Sequence, residues 1–170
     1  MKTDFTIRQA QQSDAVALKE LFQNTVIVIN RRDYSQVEVE DWASCGDDLS
    51  NIEEMIKTHY FIVAVNQQSQ IVGFSSITPQ GYLHSMFVHK DFQGEGIATM
   101  LLEEIERYAI TAGITRITSE VSLTARPFFE KKGYAVEKEQ KRKANQLSLT
   151  NFLMAKEVAF LEYYNKKVTD

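Results

Sequence analysis

Two glycines one residue apart, placed just before a helix, are the part of this chain best suited to chemistry. Gln93-Gly94-Glu95-Gly96-Ile97-Ala98 is entered from an apolar run, Leu83 to Val88, and left through a strongly periodic stretch, Thr99 to Ala112. Glycine has no Cβ, so the backbone at Gly94 and Gly96 can come close to an anion. The first turn of a helix carries N–H groups without intrahelical partners, and they point at whatever lies ahead. The helix dipole adds ~0.3–1 kcal/mol per favourable charge. The arrangement suits a phosphate. A dinucleotide site would instead want G-x-G-x-x-G opening a first βαβ unit. Here the spacing differs and the loop lies mid-chain. The bland alternative is a glycine turn that holds no ligand.

Side chains able to move a proton flank this loop. Glu120 lies at the end of the strand after the long helix, and reads equally as a salt-bridge partner or a cap for the turn from Ser122 to Thr124. His84 lies on the strand before the loop, where alternation gives it the face of Tyr82, Met86 and Val88. It reads equally as a core or rim histidine. His59 and His89 flank turns and read as solvated. Cys45 is the single cysteine, so no intrachain disulfide can form, which fits a reducing compartment. No histidine signature surrounds it, so it reads as a packed or exposed thiol. No His/Cys cluster has metal-ligand spacing, and no metal is implied.

The elements that must hold these residues follow from periodicity. Phe5 to Arg8 alternates as a first strand. Ser13 is an N-cap candidate for a helix with Leu18, Leu21, Phe22, Thr25, Val26 and Ile29 on one face. Ser35-x-x-Glu38 and Ser50-x-x-Glu53 are capping boxes of two further helices. Tyr34 and Trp42 in this region either pack helices onto the sheet or line a pocket. Tyr60 to Val65, Ile71 to Ile77 and Tyr82 to Val88 are three strands, the first apolar enough to be covered on both faces. The long helix carries an Ile97, Leu101, Ile105, Tyr108 and Ala112 stripe. Glu103 and Arg107 form an i,i+4 pair on it. Arg116 to Val121 is a strand, Thr124 to Lys132 a short helix, and Tyr134 to Lys138 and Leu147 to Lys156 the last strands. Lys141-Arg142-Lys143 falls in their connection, either a solvated loop or a basic patch.

The chain has 170 residues and a formal charge of −4. That length suits one domain with a sizeable core. The charge argues against general nucleic-acid binding, which needs a basic surface. No signal peptide and no membrane-spanning run is present, so a cytoplasmic protein is expected. We read residues 1–156 as a single domain and 157–170 as a tail with Phe160, Tyr163 and Tyr164 as docking candidates.

The loop Gln93 to Ala98 resembles the Q/R-x-x-G-x-G/A signature of the GNAT N-acetyltransferases. Thr118 to Tyr134 is similar to a second GNAT block, N-x-x-A-x-x-x-Y-x-x-x-G-F. Ala125, Gly133 and Tyr134 match it, while Ser122 replaces the usual Asn and Phe129 the usual Tyr. The wording from Glu120 to Glu130, with Asn151, Phe152 and Met154 later and Tyr34 and Trp42 earlier, resembles the YafP-like bacterial branch. The order of elements matches over nearly the whole chain. The resemblance implies an α+β, three-layer α/β/α fold around a mixed, mostly antiparallel seven-stranded sheet. It implies acetyl-CoA as cosubstrate and a monomer or homodimer.

What the resemblance implies about residues is specific. Met86, Phe87 and Val88 would offer backbone groups to the pantetheine and the thioester carbonyl. Gln93, Gly94, Glu95, Gly96, Ile97, Ala98 and Thr99 would wrap the pyrophosphate. Ser122 would hydrogen-bond the pantetheine arm, beside Phe129. Tyr34, Trp42 and Tyr82 would line the acceptor pocket. An alkylammonium has a pKa of about 10.4, so a base is needed at neutral pH. Glu120 ranks first because a carboxylate also holds the incoming ammonium by charge, and His84 second. Phe129 cannot donate a proton, which leaves Tyr134 or water to reprotonate the thiolate. The expected reaction is acetyl transfer to a small-molecule amine by direct attack on the thioester. The alternatives are a peptide amine, or a CoA-binding module without catalysis.

Overall fold

Apolar alternation becomes sheet where expected. The computed structural model describes residues 4–158 together with 167 and 168; Phe160, Tyr163 and Tyr164 lie outside the described residues. The strands are β1 (Thr6–Gln9), β2 (Tyr60–Val65), β3 (Ile71–Ile77), β4 (Leu83–Val88), β5 (Arg116–Ser122), β6 (Ala135–Lys143) and β7 (Ser148–Glu157). The α-helices are α1 (Ala15–Val28), α2 (Gln36–Ser44), α3 (Leu49–Thr58), α4 (Ile97–Thr111) and α5 (Arg126–Lys131).

The seven strands do not make one sheet. They form a four-stranded sheet in the order β1-β2-β3-β4 and a three-stranded sheet in the order β5-β7-β6. Every ladder is antiparallel. The two sheets meet at one parallel bridge, Tyr82 with Thr118. There the Thr118 N–H donates to the Gly81 carbonyl at 3.0 Å, and the Ser119 hydroxyl to that of Leu83 at 2.8 Å. Only glycine permits this approach. Gly81 has φ +92°, and a Cβ on it would stand 2.6 Å from the Arg116 carbonyl oxygen. Beyond the bridge β4 and β5 carry no ladder, so the sheet is open where the glycine loop begins.

α4 covers one face of the first sheet. Its fully buried Ile97, Leu101 and Ile105 pack with Ile62, Val72, Ile77 and Leu83, and the cluster runs on into Ile117 and Met154 of the second sheet. Burial of each such side chain stabilises by about 1.5–3 kcal/mol. On the other face Leu18 and Leu21 of α1 and Ile52 of α3 meet Phe61, Val63 and Phe74. A third cluster, Val26, Tyr34, Val39 and Ala43 with Leu149, joins α1 and α2 to β7.

Local chemistry sets the helix ends. The Ser35 box closes α2: Glu38 N–H donates to Ser35 Oγ at 3.2 Å, and Ser35 N–H to Glu38 Oε1 at 2.9 Å. α3 is capped by Asp48, whose carboxylate takes the Ser50 N–H at 2.9 Å, so Ser50 is inside the helix. Ser13 lies in a short 3-10 turn and caps nothing. β6 is longer than expected because it pairs with β7 as far as Lys143 with Ser148. Lys141, Arg142 and Lys143 are therefore strand residues, not a loop. β7 likewise ends at Glu157, and Val158 is buried with its N–H on the Thr115 carbonyl.

Candidate active site

A cleft of about 1010 Å³ opens where β4 and β5 part. Its two ends are built differently. At the glycine loop the wall is backbone. Gly94 and Gly96 have φ +76° and +84°, conformations that favour glycine, and nothing lies within 4 Å of where their Cβ atoms would be. Gly96 is the N-cap of α4 and offers no side-chain cap. The N–H groups of Ile97, Ala98 and Thr99, in the first turn of α4, have no carbonyl within their own helix to bind. Gln93, Gly94, Gly96, Ile97, Ala98 and Thr99 all line the cleft. Ile97 is 1% exposed, so only its backbone can serve a ligand.

Several expected contributions change in the structure. The Gln93 amide donates to the Val88 carbonyl at 2.8 Å, so it braces the loop against β4. The Thr25 hydroxyl donates to the same carbonyl at 3.0 Å. Glu95 is exposed and does not line the cleft. Along β4 the His89 N–H donates to the Val72 carbonyl, and Phe87 stands opposite Phe74. Antiparallel alternation therefore turns the Phe87 backbone toward β3, and the Met86 and Val88 backbone toward the gap. Phe87 contributes its ring instead, edge-on to Phe22 at 5.1 Å and to Trp42 at 6.1 Å. Ser122 lines the cleft, and its Oγ accepts the Ala125 N–H at 3.1 Å. Phe129 lines it too, 3% exposed. Between them the Thr124 hydroxyl is buried with no hydrogen-bond partner among the described residues. A buried orphan hydroxyl awaits an acceptor or donor from a ligand. Open space over two positive-φ glycines, a helix N-terminus and this hydroxyl together fit an elongated phosphate-bearing group such as coenzyme A.

At the other end the wall is side chains. β4 carries a bulge: the register passes from Ser76–Ser85 to Ile77–Leu83, leaving His84 without an opposite residue. A bulge re-aims its side chain, so His84 leaves the Met86–Val88 face expected of it. Its ring lies 5.4 Å from that of His59 and edge-on to Tyr82 at 5.8 Å. His59 is thus a cleft residue and not a solvated one. Its Nδ1 is 3.3 Å from Ser76 Oγ, which is 2.8 Å from Ser85 Oγ. Surrounding protein lowers the His84 pKa below the ordinary histidine value. His59 lowers it further, while Glu120 opposes. Desolvation lowers that of His59 as well. Both rings are neutral at pH 7. His84 makes no side-chain hydrogen bond among the described residues. Tyr82 is pushed up to about 12, by burial first and Glu120 second.

Glu120 faces the cleft and is held by Arg142, Nε to Oε1 at 2.9 Å. One of its two oxygens is thus already taken. Tyr134 is 3% exposed and absent from the cleft lining. Its ring packs edge-on against Phe129, 5.2 Å away. Burial, then Glu106, raises its phenol far above the ordinary value. From there it is poorly placed to protonate a leaving group in the cleft.

One segment closes the acceptor end. The Tyr34 hydroxyl donates to the Thr150 carbonyl at 2.6 Å and accepts the Leu123 N–H at 3.0 Å. Its ring meets Trp42 at 5.8 Å. Tyr34 therefore both pins the second sheet and lines the cleft. The Asp41 carboxylate accepts N–H groups of Asn145, Gln146 and Leu147 at 2.9–3.1 Å, clasping the β6–β7 turn to α2. His59, Thr124, Arg142 and the Asp41 clasp were not foreseen from sequence. The basic run Lys141 to Lys143 carries Arg142, and only the long-range pairing with β7 turns it from an expected loop into strand.

Comparison with known proteins agrees with this geometry. The family model of the acetyltransferase (GNAT) domain matches residues 30–157. An uncharacterized N-acetyltransferase of Escherichia coli K12, YafP, is 28% identical over 148 residues, covering 87% of this chain and 93% of that protein. A GCN5-related N-acetyltransferase structure from Rhodopseudomonas palustris superposes with TM-score 0.88 at 26% identity, over 92% of this chain and 98% of that one. The PaiA N-acetyltransferase of Thermoplasma acidophilum, solved with coenzyme A, has TM-score 0.74 at 19% identity, over 91% and 99% of the two chains. No helix among the described residues is long and apolar enough to cross a membrane. With the family model matched across most of its length, the chain belongs to the GNAT acetyltransferase family.

Proposed function

We propose that the protein transfers the acetyl group of acetyl-CoA to the amine of a small molecule. The observation that carries this reading is a single cleft shared by a backbone phosphate cradle and a neutral histidine. The glycine loop and the first turn of α4 hold the pyrophosphate. The outward backbone of Met86 and Val88 supplies a donor for the thioester oxygen, an effect worth a few kcal/mol, about 10²–10³ in rate, in other enzymes. His84 takes the ammonium proton and frees the amine lone pair. The new C–N bond forms as the C–S bond breaks, the nitrogen gives its second proton to water, and the sulfur leaves with its electron pair. Water reprotonates it, since Phe129 has no proton to give and Tyr134 lies behind the cleft.

His84 replaces Glu120 as the favoured base. One Glu120 oxygen is taken by Arg142 and the other stays open, which suits Glu120 to hold the ammonium and leaves the proton to His84. His84 has a neutral ring with unoccupied nitrogens. A small acceptor is favoured over a peptide by the ring cluster of Tyr34, Trp42, Phe22 and Phe87 and by the Asp41 clasp, which together shut one end of the cleft.

The test is incubation of the full chain with acetyl-CoA and a panel of small amines and lysine peptides, read by free thiol and product mass. Thiol release with an acetylated small amine supports the reading. Acetylated peptides alone would favour the peptide alternative. Coenzyme A binding without product from any amine would leave a binding module.

A further inference from the structure

The acceptor end contains an ion pair only half used. Arg142 Nε donates to Glu120 Oε1 at 2.9 Å. Among the described residues, neither Glu120 Oε2 nor the two terminal nitrogens of Arg142 has a hydrogen-bond partner. Arg142 carries five N–H donors and this bond uses one. The side chains are 57% and 27% exposed, so the pair is open to the cleft and not sealed inside protein. Exposed pairs of this kind contribute little to stability. What an open carboxylate–guanidinium pair does well is match a second pair of charges laid head to tail against it.

We infer that the acceptor is an α-amino acid with an apolar side chain, its ammonium on Glu120 and its carboxylate on the Arg142 fork. The inference rests on the acetyltransferase reading and names the substrate class of the same cleft. The planar fork of arginine suits a carboxylate, which two parallel N–H groups can hold. The wall around Arg142 is otherwise rich in donors. Lys143 lines it, and Asn151 has its oxygen taken by the Gln140 amide at 3.0 Å, leaving its NH₂ to donate. On the β4 side the lining offers Tyr82 and the neutral rings of His59 and His84, and among the described lining residues Arg142 and Lys143 are the only lysine or arginine. Glu54 is the other carboxylate on the lining, on the α3 side. Phe22, Trp42 and Phe87 give an apolar body somewhere to go. In this arrangement Glu120 holds the ammonium while His84, beside it, receives the proton.

The experiment compares amino acids with the amines that lack only the carboxylate. L-phenylalanine is set against 2-phenylethylamine, and L-leucine against 3-methylbutylamine, on the full chain with acetyl-CoA. The amino acid of a pair is expected to show kcat/KM at least about tenfold higher, chiefly through KM, as loss of charge-assisted hydrogen bonds would predict. Arg142→Gln should collapse that ratio toward one, and Arg142→Lys should keep part of it. Acetyl-CoA affinity, set at the other end of the cleft, should be unchanged in both variants and reports that they are folded. Equal rates for acid and amine in the natural protein would overturn the inference while leaving the acetyltransferase reading intact. So would an Arg142→Gln loss of equal size on both. If nothing is acetylated, calorimetry of the same amino acids with the coenzyme A-loaded protein decides. Binding abolished by Arg142→Gln supports the zwitterion site, and no binding of any amino acid rejects it.

Discussion

The two ends of the cleft are made of different material. The cofactor end is backbone: two glycines at positive φ, the N–H groups of one helical turn and outward groups of β4. That backbone comes from one continuous stretch, Met86 to Thr99, with Ser122, Thr124 and Phe129 of the β5–α5 region beside it. The acceptor end is side chain: His59 after α3, His84 in a bulge, Glu120 on β5, Arg142 on β6, and Tyr34 and Trp42 around α2. Its six members are drawn from five places in the chain. The difference teaches what each end is free to change. A backbone cradle binds any ligand with the same pyrophosphate and tolerates little variation in conformation. A side-chain wall can be re-specified one residue at a time without disturbing the cradle.

The comparison predicts separable defects, and the largest is at the cradle. Gly96→Glu puts a side chain on a residue at φ +84° and fills space that is now open. It also sets a carboxylate against phosphate. Acetyl-CoA affinity should fall by more than about 100-fold, or about 2.7 kcal/mol, measured by calorimetry. The acceptor wall should be untouched, with the melting temperature lowered by only a few degrees. Unchanged affinity in a folded variant would remove the pyrophosphate assignment and with it the contrast between the ends.

The next effect belongs to the acceptor end alone. His84→Gln should lower kcat on an alkylamine by about 10²-fold with acetyl-CoA affinity unchanged. The natural enzyme should hold its rate as pH falls to the ordinary histidine value, about 6.5. It should lose rate only below that, because the folded His84 protonates less readily. That acid limb should vanish in His84→Gln. A larger loss in Glu120→Gln, with the limb intact in His84→Gln, would return the base to Glu120. The same depressed values affect stability. Above the ordinary histidine pKa neither state binds protons at His59 or His84, and stability is undiminished. As pH falls through it the unfolded chain protonates first, so stability declines until the folded rings protonate as well. Urea midpoints at pH 7.5 and 5.5 should differ in that sense, and His84→Gln should reduce the difference.

These contrasts also explain what the sequence made legible. The glycine loop was readable because its residues are contiguous and their conformations are forced by the absence of Cβ. The strand and helix order was readable from periodicity, and the Ser35 box from its spacing. Long-range pairing was not. Nothing local says that β4 and β5 share no ladder beyond the single bridge of Tyr82 with Thr118, so one seven-stranded sheet was expected where two are joined by a bridge. A bulge at His84 shifts one residue out of alternation and leaves no mark on the pattern. Pairing with β7 extended β6 through a lysine- and arginine-rich segment that reads as loop. Arg107 pairs with Glu104, three residues before it, and the Tyr60 hydroxyl donates to the same carboxylate at 2.6 Å, a contact that helix spacing does not announce.

A smaller effect should appear where the acceptor end is held shut. Tyr34→Phe removes a hydroxyl that joins Leu123 to Thr150. The Leu123 N–H is then left without its acceptor, a loss of about 1–3 kcal/mol if water does not replace it. Urea unfolding measures this directly. Because the lost bonds fix the wall beside Trp42, KM for the acceptor should rise while acetyl-CoA affinity stays within about twofold, or about 0.4 kcal/mol. A fall in acetyl-CoA affinity instead would show that the two ends are coupled through the β5–α5 turn.

The smallest effect is expected at Tyr134, and it bears on how the thiolate is quenched. Tyr134 follows the turn at Gly133, yet its ring is buried against Phe129 and its hydroxyl has no hydrogen-bond partner among the described residues. Tyr134→Phe removes one oxygen and keeps the packing surface. Without a partner that depends on it for a strong bond, the change should alter stability by less than about 1 kcal/mol. It should leave kcat within about twofold, since general acid catalysis worth about 10²–10⁴ would be lost only if the hydroxyl served the reaction. The solvent should matter more. If water is the acid, the rate should depend on solvent isotope in the natural protein and in Tyr134→Phe alike. A tenfold or larger fall in kcat for Tyr134→Phe, with acetyl-CoA affinity unchanged, would mean that the hydroxyl reaches the cleft during turnover. The cofactor end would then contain a working side chain after all, and the contrast between a backbone cradle and a side-chain wall would hold for binding but not for catalysis.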